Sequence, residues 1–148
     1  MGYVDKQVRK ELIQAVTLAD LPLLRNYVDQ FNKSLTQQIN HVPEAGGDTV
    51  LHHAVLMDYD QGRSAIDPGE EGQYEFRTIR KALSKESAES LKIKTEIVQL
   101  LVEGAGADPD VGNQHKITAR NIAKECLRQN KEVLKVMGGN SSWFGFGS

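Results

Sequence analysis

The sequence predicts an all-α protein: three helix pairs set side by side as a solenoid, with a long insertion inside the middle pair. Three observations carry this. Apolar residues recur at three- and four-residue steps in segment after segment. The second helix of each pair carries a similar apolar knot, LLRNYV, IVQLLV and VLKVM. The first helix of each carries an inward alanine, Ala15, Ala54 and Ala123, at intervals of 39 and 69 residues.

The elements follow in order. VRKELIQAVTLAD places Val8, Leu12, Ala15, Val16 and Ala19 on one helical face. Asp20 can cap the next helix, LPLLRNYVDQF, in whose first turn Pro22 is tolerated because its missing N–H has no partner there. Residues 8–31 therefore read as an antiparallel helix pair. NKSLTQQINHVPEAGGD is polar and punctuated by Gly and Pro, a loop by composition. In GDTVLHHAV, Thr49 stands where an N-cap oxygen opens a short apolar helix. DYDQGRSAIDPGEEGQ is acidic, contains Gly62, Pro68, Gly69 and Gly72, and reads as an exposed loop. Phe76, Ile79 and Leu83 restore the helical period. SKESAES interrupts the apolar stripe without Gly or Pro, and one helix is predicted over 86–103, stopped by Gly104 and Gly106. ADPDVGNQHK is a turn, and ITARNIAKECL with NKEVLKVM makes the third pair, closed by Gly138-Gly139.

The bulk properties narrow the field. A chain of 148 residues is long enough for one domain with a real core. Its net charge of −2 leaves no basic surplus for a phosphate backbone, so nucleic acid is not an expected partner. The lone cysteine, Cys126, excludes an intrachain disulfide and fits a reducing compartment, so a cytoplasmic location is expected. No apolar run approaches the roughly 20 residues that span a bilayer, and the start MGYVDKQ has neither the apolar stretch of a secretory signal nor the Ser or Thr of a myristoylation motif.

GDTVLHHAV resembles the ankyrin signature, in which Gly, Thr, Leu, His and Ala recur around T-P-L-H-x-A. IVQLLVEGAGADPD is similar to the second ankyrin helix and its closing turn, ITARNIAKE to the opening of a following repeat, and ADLPLLRNYV to the turn and second helix of a preceding one. The resemblance implies an ankyrin-like domain over residues 1–139 with repeats near 8–40, 41–110 and 111–138. The middle repeat exceeds a period of about 33 residues by about 36, most of it an insertion at 58–92. Val50 replaces the signature proline, Lys116 stands where glycine is usual, and Arg120 where leucine is usual. By the resemblance, Gly47, Thr49, Leu51, His52, Ala54, Gly106, Asp108, Thr118 and Ala123 are structural, and the ring of His52 bonds Thr49 and neighbouring loop backbone.

Chemistry is sparse by comparison. His52 and His53 are adjacent, roughly 100° apart around a helix, whereas histidines sharing a metal usually sit at i and i+4; no metal and no cofactor are expected. Gly104-Ala105-Gly106 follows a helix, so it is not a phosphate loop. Asp58-Tyr59-Asp60-Gln61-Gly62 resembles the start of a calcium loop, but its twelfth position is Gly69 rather than Glu. No motif of a hydrolase, metalloprotease or phosphate-binding loop occurs, and the chain reads as a non-enzyme.

The family resemblance implies a protein–protein interaction scaffold binding through the concave face. Carried over by position, that face comprises Ala45, Asp48, His53, Met57, Gln114, His115, Ile117 and Glu125, joined in the first repeat by Gln14, Thr17 and Leu18. The alternative is that the insertion and the tail carry the function, in an adaptor, a regulatory subunit or a bacterial effector in a host-cell cytoplasm, with the repeats as support. The tail, 140–148, concentrates Trp143, Phe144 and Phe146 among Gly and Ser, either a cap on the last repeat or a motif for recognition or self-association.

Overall fold

The computed structural model describes residues 6–31, 35–43, 47–67, 70–128 and 130–138, and these are mostly helical. The first pair is α1 (Lys6–Thr17) and α2 (Leu21–Phe31). Leu12, Ala15 and Val16 of α1 and Leu24 and Val28 of α2 are buried, the stripe that the spacing predicts. Between the helices the chain reverses over Ala19, whose φ of +55° is left-handed. The Asp20 amide donates to the Ala15 carbonyl at 2.9 Å and the Ala19 amide to that of Val16 at 3.2 Å, a Schellman stop with alanine at the position that glycine normally fills. The Asp20 carboxylate then accepts from the Leu23 amide at 3.1 Å and starts α2.

The segment expected to be loop contains a short helix, α3 (Thr36–Asn40). Gln38 and Ile39 are buried in it, while Thr36 Oγ1 donates to the Ala105 carbonyl and Asn40 Nδ2 to that of Gly106, both at 3.1 Å. Five residues are too few for a helical period to show against polar neighbours, and tertiary contacts set the conformation.

The middle pair is α4 (Val50–Leu56) and α6 (Ala88–Gln99), which continues into a π-wound turn at Leu100–Gly104. Between them lie strands β1 (Met57–Asp58) and β2 (Arg63–Ser64), an antiparallel hairpin in the stretch expected to be plain loop, and α5 (Phe76–Leu83). The single helix predicted from residue 86 starts instead at Ala88. Ser87 caps it by accepting from the Ser90 amide at 3.1 Å, and Glu86 stays outside the helix. The last pair is α7 (Ala119–Cys126) and α8 (Lys131–Gly138).

Packing runs in two rows. Among first helices α1 lies on α4 and α4 on α7; among second helices α2 lies on the π-wound end of α6, and α6 on α8. Within pairs, α1 meets α2, α4 meets α6 and α7 meets α8. The insertion adds to the first row, because α5 packs on α7 with Ile79 and Leu83 fully buried.

The α4 and α7 starts share one local design. Gly47 (φ +83°) and Lys116 (φ +64°) are both left-handed. Two residues later Thr49 and Thr118 cap their helices, each in a reciprocal capping box, with His52 and Asn121 respectively. Only glycine fits at 47, since a Cβ there would lie 2.8 Å from Gln114 Cγ and 3.0 Å from the Gln114 amide nitrogen.

A buried ion pair fastens the α5–α6 junction. Lys94 Nζ lies 2.7 Å from Glu86 Oε1 with both side chains fully buried, and Ser90 Oγ donates to Glu86 Oε2 at 2.6 Å. Ser90 Oγ in turn accepts the Tyr59 amide from the hairpin at 3.0 Å. Burial pushes the Lys94 ammonium down against the opposing pull of Glu86, and pushes the Glu86 carboxyl up against that of Lys94. Asp60, at the hairpin turn, accepts from both the Ser87 amide and the Ser87 hydroxyl at 2.6 Å.

Two outcomes follow for urea unfolding. Ala19→Gly and Lys116→Gly each relieve a left-handed side chain and should raise stability by about 0.5–1 kcal/mol. Glu86→Ala strands the Lys94 charge and should cost about 3–5 kcal/mol, whereas the double change Glu86→Leu, Lys94→Met should be neutral or stabilising.

Candidate functional site

The polar residues of GDTVLHHAV are anchored by three different parts of the chain. His52 is fully buried. Its Nδ1 accepts from the Thr49 amide at 3.2 Å and lies 2.7 Å from Thr49 Oγ1, and its Nε2 lies 2.8 Å from the Ile117 carbonyl. An Nδ1 that accepts leaves the proton on Nε2, which donates to Ile117, so the ring is the neutral Nε2–H tautomer. Burial holds its pKa below the ordinary histidine value, with the Ile117 carbonyl pulling the other way. His52 thus ties the cap of α4 to the loop that precedes α7.

Asp48 is also fully buried. Its Oδ1 accepts from Asn113 Nδ2 at 2.9 Å and from the Tyr74 hydroxyl at 3.2 Å, and its carbonyl accepts from Arg9 Nη2 at 2.6 Å. Asn113 Oδ1 accepts from the His115 and Ile117 amides at 2.8 and 3.1 Å, so one side chain shapes its own turn and reaches Asp48 before α4. Burial lowers the pKa of Arg9, opposed by Glu71 and Asp48; burial raises that of Tyr74, reinforced by Asp48.

Met57, at 2% exposure, is interior like Asp48. These two positions, placed on a partner-facing surface by the sequence, are therefore not on one. The cause is the insertion, which brings Tyr74 onto Asp48 and folds back as the hairpin from Met57. His53 is half-buried, its Nε2 3.2 Å from Glu71 Oε1 in a close but poorly aligned pair. His53 is the main reason that the Glu71 carboxyl is held below its ordinary range. Glu125 is engaged by the insertion, its carbonyl accepting from Arg80 Nε at 2.7 Å and its carboxylate lying 3.3 Å from Arg80 Nη2.

Ile117 is half-buried in the His52 contact, whereas Gln114 and His115 are exposed at the loop tip, Gln114 Nε2 donating to the Pro43 carbonyl at 2.7 Å. At the end of α1, Gln14 and Leu18 are exposed and Thr17 is half-buried. Ala45 and the tail aromatics Trp143, Phe144 and Phe146 lie outside the described residues. Of the structural positions, Leu51, Ala54 and Ala123 are fully buried. Gly106 is left-handed at φ +78°, and the Asp108 carboxylate accepts from the Asp110 amide at 2.9 Å. Cys126 is buried with Sγ 3.6 Å from the Phe76 carbonyl, and burial pushes its thiol up to about 11, away from a reactive thiolate.

The insertion and α4 leave an open cleft of ≈ 830 Å³. It is lined by residues 63–67, by Ala82 of α5, by Lys85 just after α5, and by His53 and Glu71. The acidic stretch DYDQGRSAIDPGEEGQ, expected to be exposed loop, supplies Arg63, Ser64 and Glu71 to the walls, and Lys85 joins them from just after α5; none of these four is marked as a wall residue by its sequence context. Strands of two residues carry no alternation that a pattern can register, so no local signal could have found them.

Changing His52→Asn tests the buried ring. Asparagine already occupies the matching position, Asn121, with its capping box intact. The variant should lose about 1–3 kcal/mol at pH 7, because the Ile117 carbonyl is left without its donor. With the native pKa depressed, the unfolded chain alone takes up the proton below about pH 6.5. The His52 contribution is thus complete above that pH and lost as pH falls toward the depressed value. Urea titrations between pH 7 and 5 should show a wild-type stability loss that is smaller in His52→Asn.

Among the described residues no helix is long and apolar enough to cross a membrane. Comparison with protein-family models, curated proteins and solved structures finds no match to this chain.

Proposed function

We propose that this chain is a non-catalytic protein-binding module of ankyrin-like construction in which the insertion, and not the bare inner-helix face, supplies the recognition surface. One observation carries the reading: Asp48 and Met57 lie inside, Tyr74 of the insertion bonds Asp48, and the insertion together with His53 of α4 lines an open cleft. The ankyrin-like part is supported by the two helix rows, by the matched left-handed residue and threonine cap at the starts of α4 and α7, and by the His52 bridge to Ile117. Of the two functions that the sequence raises, these observations favour the insertion as the working part and the repeats as its frame. The walls mix charged, polar and apolar side chains, as a specific rather than a merely sticky surface does. A reducing, cytoplasmic setting fits the single buried thiol.

Site-specific photo-cross-linking tests the assignment. A benzophenone side chain placed at Gln61 or Ile66 of the full-length chain should give a discrete protein adduct in a lysate of the source cells, and one at Gln114 or His115 should not. Adducts from the loop-tip positions alone would return the function to the repeat face. Absence of adducts from all four would overturn the protein-binding reading.

A further inference from the structure

We infer that the flank of α5 turned toward α7, together with the exposed cations at the end of α7, is a docking surface for a short acidic segment of a partner protein. This names the partner chemistry for the function proposed above and rests on it.

Helix geometry sorts the charges around α5. At about 100° per residue, Arg77, Arg80 and Lys81 fall within about 100° of arc on one flank, and Thr78 and Ala82 fall on the other. Ile79 and Leu83 point into the core. The flank of Thr78 and Ala82 borders the acids of the insertion. Ala82 lines the open cleft with Asp58, Asp67 and Glu71, and Thr78 lines a second, smaller one with Asp67, Glu70 and Glu75. The opposite flank borders α7. Arg80 Nε donates to the Glu125 carbonyl at 2.7 Å, and Glu125 Oε1 lies 3.3 Å from Arg80 Nη2 and 3.6 Å from Arg128 Nη2. Two guanidinium groups thus share one carboxylate, and this contact joins the basic flank of α5 to the end of α7.

The joined surface is cationic and open. Arg77, Arg80, Lys81, Lys124 and Arg128 are all exposed. Arg77, Lys81 and Lys124 make no side-chain hydrogen bond or ion pair among the described residues. Carboxylates laid across them gain charge-assisted hydrogen bonds, and Arg80 is already oriented by the Glu125 carbonyl. The size of the surface selects a short anion. α5 has 8 residues and is about 12 Å long, the span of a few residues of extended chain. A longer polyanion such as nucleic acid would run past the patch to the acidic flank of the same helix, in a chain of net charge −2. A lipid surface is disfavoured because the exposed large apolar side chains among the described residues, Leu18 and Leu23, are at the α1–α2 turn and not on α5 or α7. An acidic protein segment meets both conditions.

The test uses the full-length chain and a fluorescein-labelled peptide of about twelve residues in which glutamate alternates with serine, long enough to cross both helices. Fluorescence polarisation at low salt should show binding that the matching glutamine peptide lacks and that weakens as salt is added. Arg77→Gln, Lys81→Gln and Lys124→Gln made together should weaken it at least about tenfold, whereas Arg63→Gln with Lys85→Gln, on the cleft side, should change it less than about twofold. These positions are all exposed, and circular dichroism checks that the fold is retained. In the unchanged chain, NMR shifts caused by the peptide should centre on the amides of 77–81 and 124–128, a readout that needs no variant. Absence of binding, equal binding of the glutamine peptide, or shifts centred on 63–67 would overturn the inference. So would tighter binding of an oligothymidylate or of phosphatidylserine vesicles, which would assign the patch to nucleic acid or to lipid. A failed peptide test beside adducts at Gln61 or Ile66 would overturn this inference alone, and absence of adducts from all four cross-linking positions would remove the broader reading.

Discussion

The structure depends on the burial of Asp48. A carboxylate withdrawn from water is costly unless hydrogen bonds replace its hydration, and Asp48 is fully buried. Its partners come from across the chain: Arg9 from α1 on its carbonyl, Tyr74 from the insertion and Asn113 from the loop before α7 on its side chain. The bonds to this one residue tie the first pair, the insertion and the third pair to the start of α4, through its carbonyl and Oδ1, while Oδ2 is buried without a hydrogen bond among the described residues. Helix packing alone tolerates sliding, because apolar surfaces attract without direction. Directed hydrogen bonds to one buried group do not.

Three helix pairs pack side by side, and the insertion is built into their interior instead of hanging from it. Ile79 and Leu83 bury against the stack, and Glu86 and Lys94 close the junction where α5 gives way to α6. That ion pair contributes direction more than net stability, since much of its attraction is offset by dehydration. It fixes where one helix stops and the next begins, in a stretch where neither glycine nor proline does so. The hairpin is held to the same junction through Asp60 with Ser87 and Tyr59 with Ser90, so the walls of the cleft are set by the core beneath them.

The two loops before α4 and α7 show how far a local rule reaches. Each places a left-handed residue two positions before a threonine cap. At Gly47 the residue suits the conformation, and the close approach of Gln114 admits no side chain. At Lys116 the conformation persists with a side chain that disfavours it. There the turn is held from within by Asn113 bonding the His115 and Ile117 amides, and from outside by His52 bonding the Ile117 carbonyl. The loop before α7 keeps its shape partly through a residue of α4.

The helix pairs, the faces they bury and the caps that start them are legible locally, because they rest on contacts within a few residues and on a 3.6-residue period. Leu12, Ala15 and Val16, the Asp20 cap, the Thr49 cap and the stop at Gly104 and Gly106 were all legible in that way. What lies between is selected by contacts distant in the chain. The short α3, the hairpin and the break before Ala88 are too short or too polar to announce themselves, and partners dozens of residues away select them. The same holds for the candidate site. His53 was visible as a residue of interest, but nothing local placed Glu71 beside it, buried Asp48 and Met57, or set Arg63 and Lys85 on the walls of one cleft. Burial and charge pairing are properties of neighbours in space, and an insertion of some thirty residues folding back on its own stack supplies neighbours that no sequence window contains.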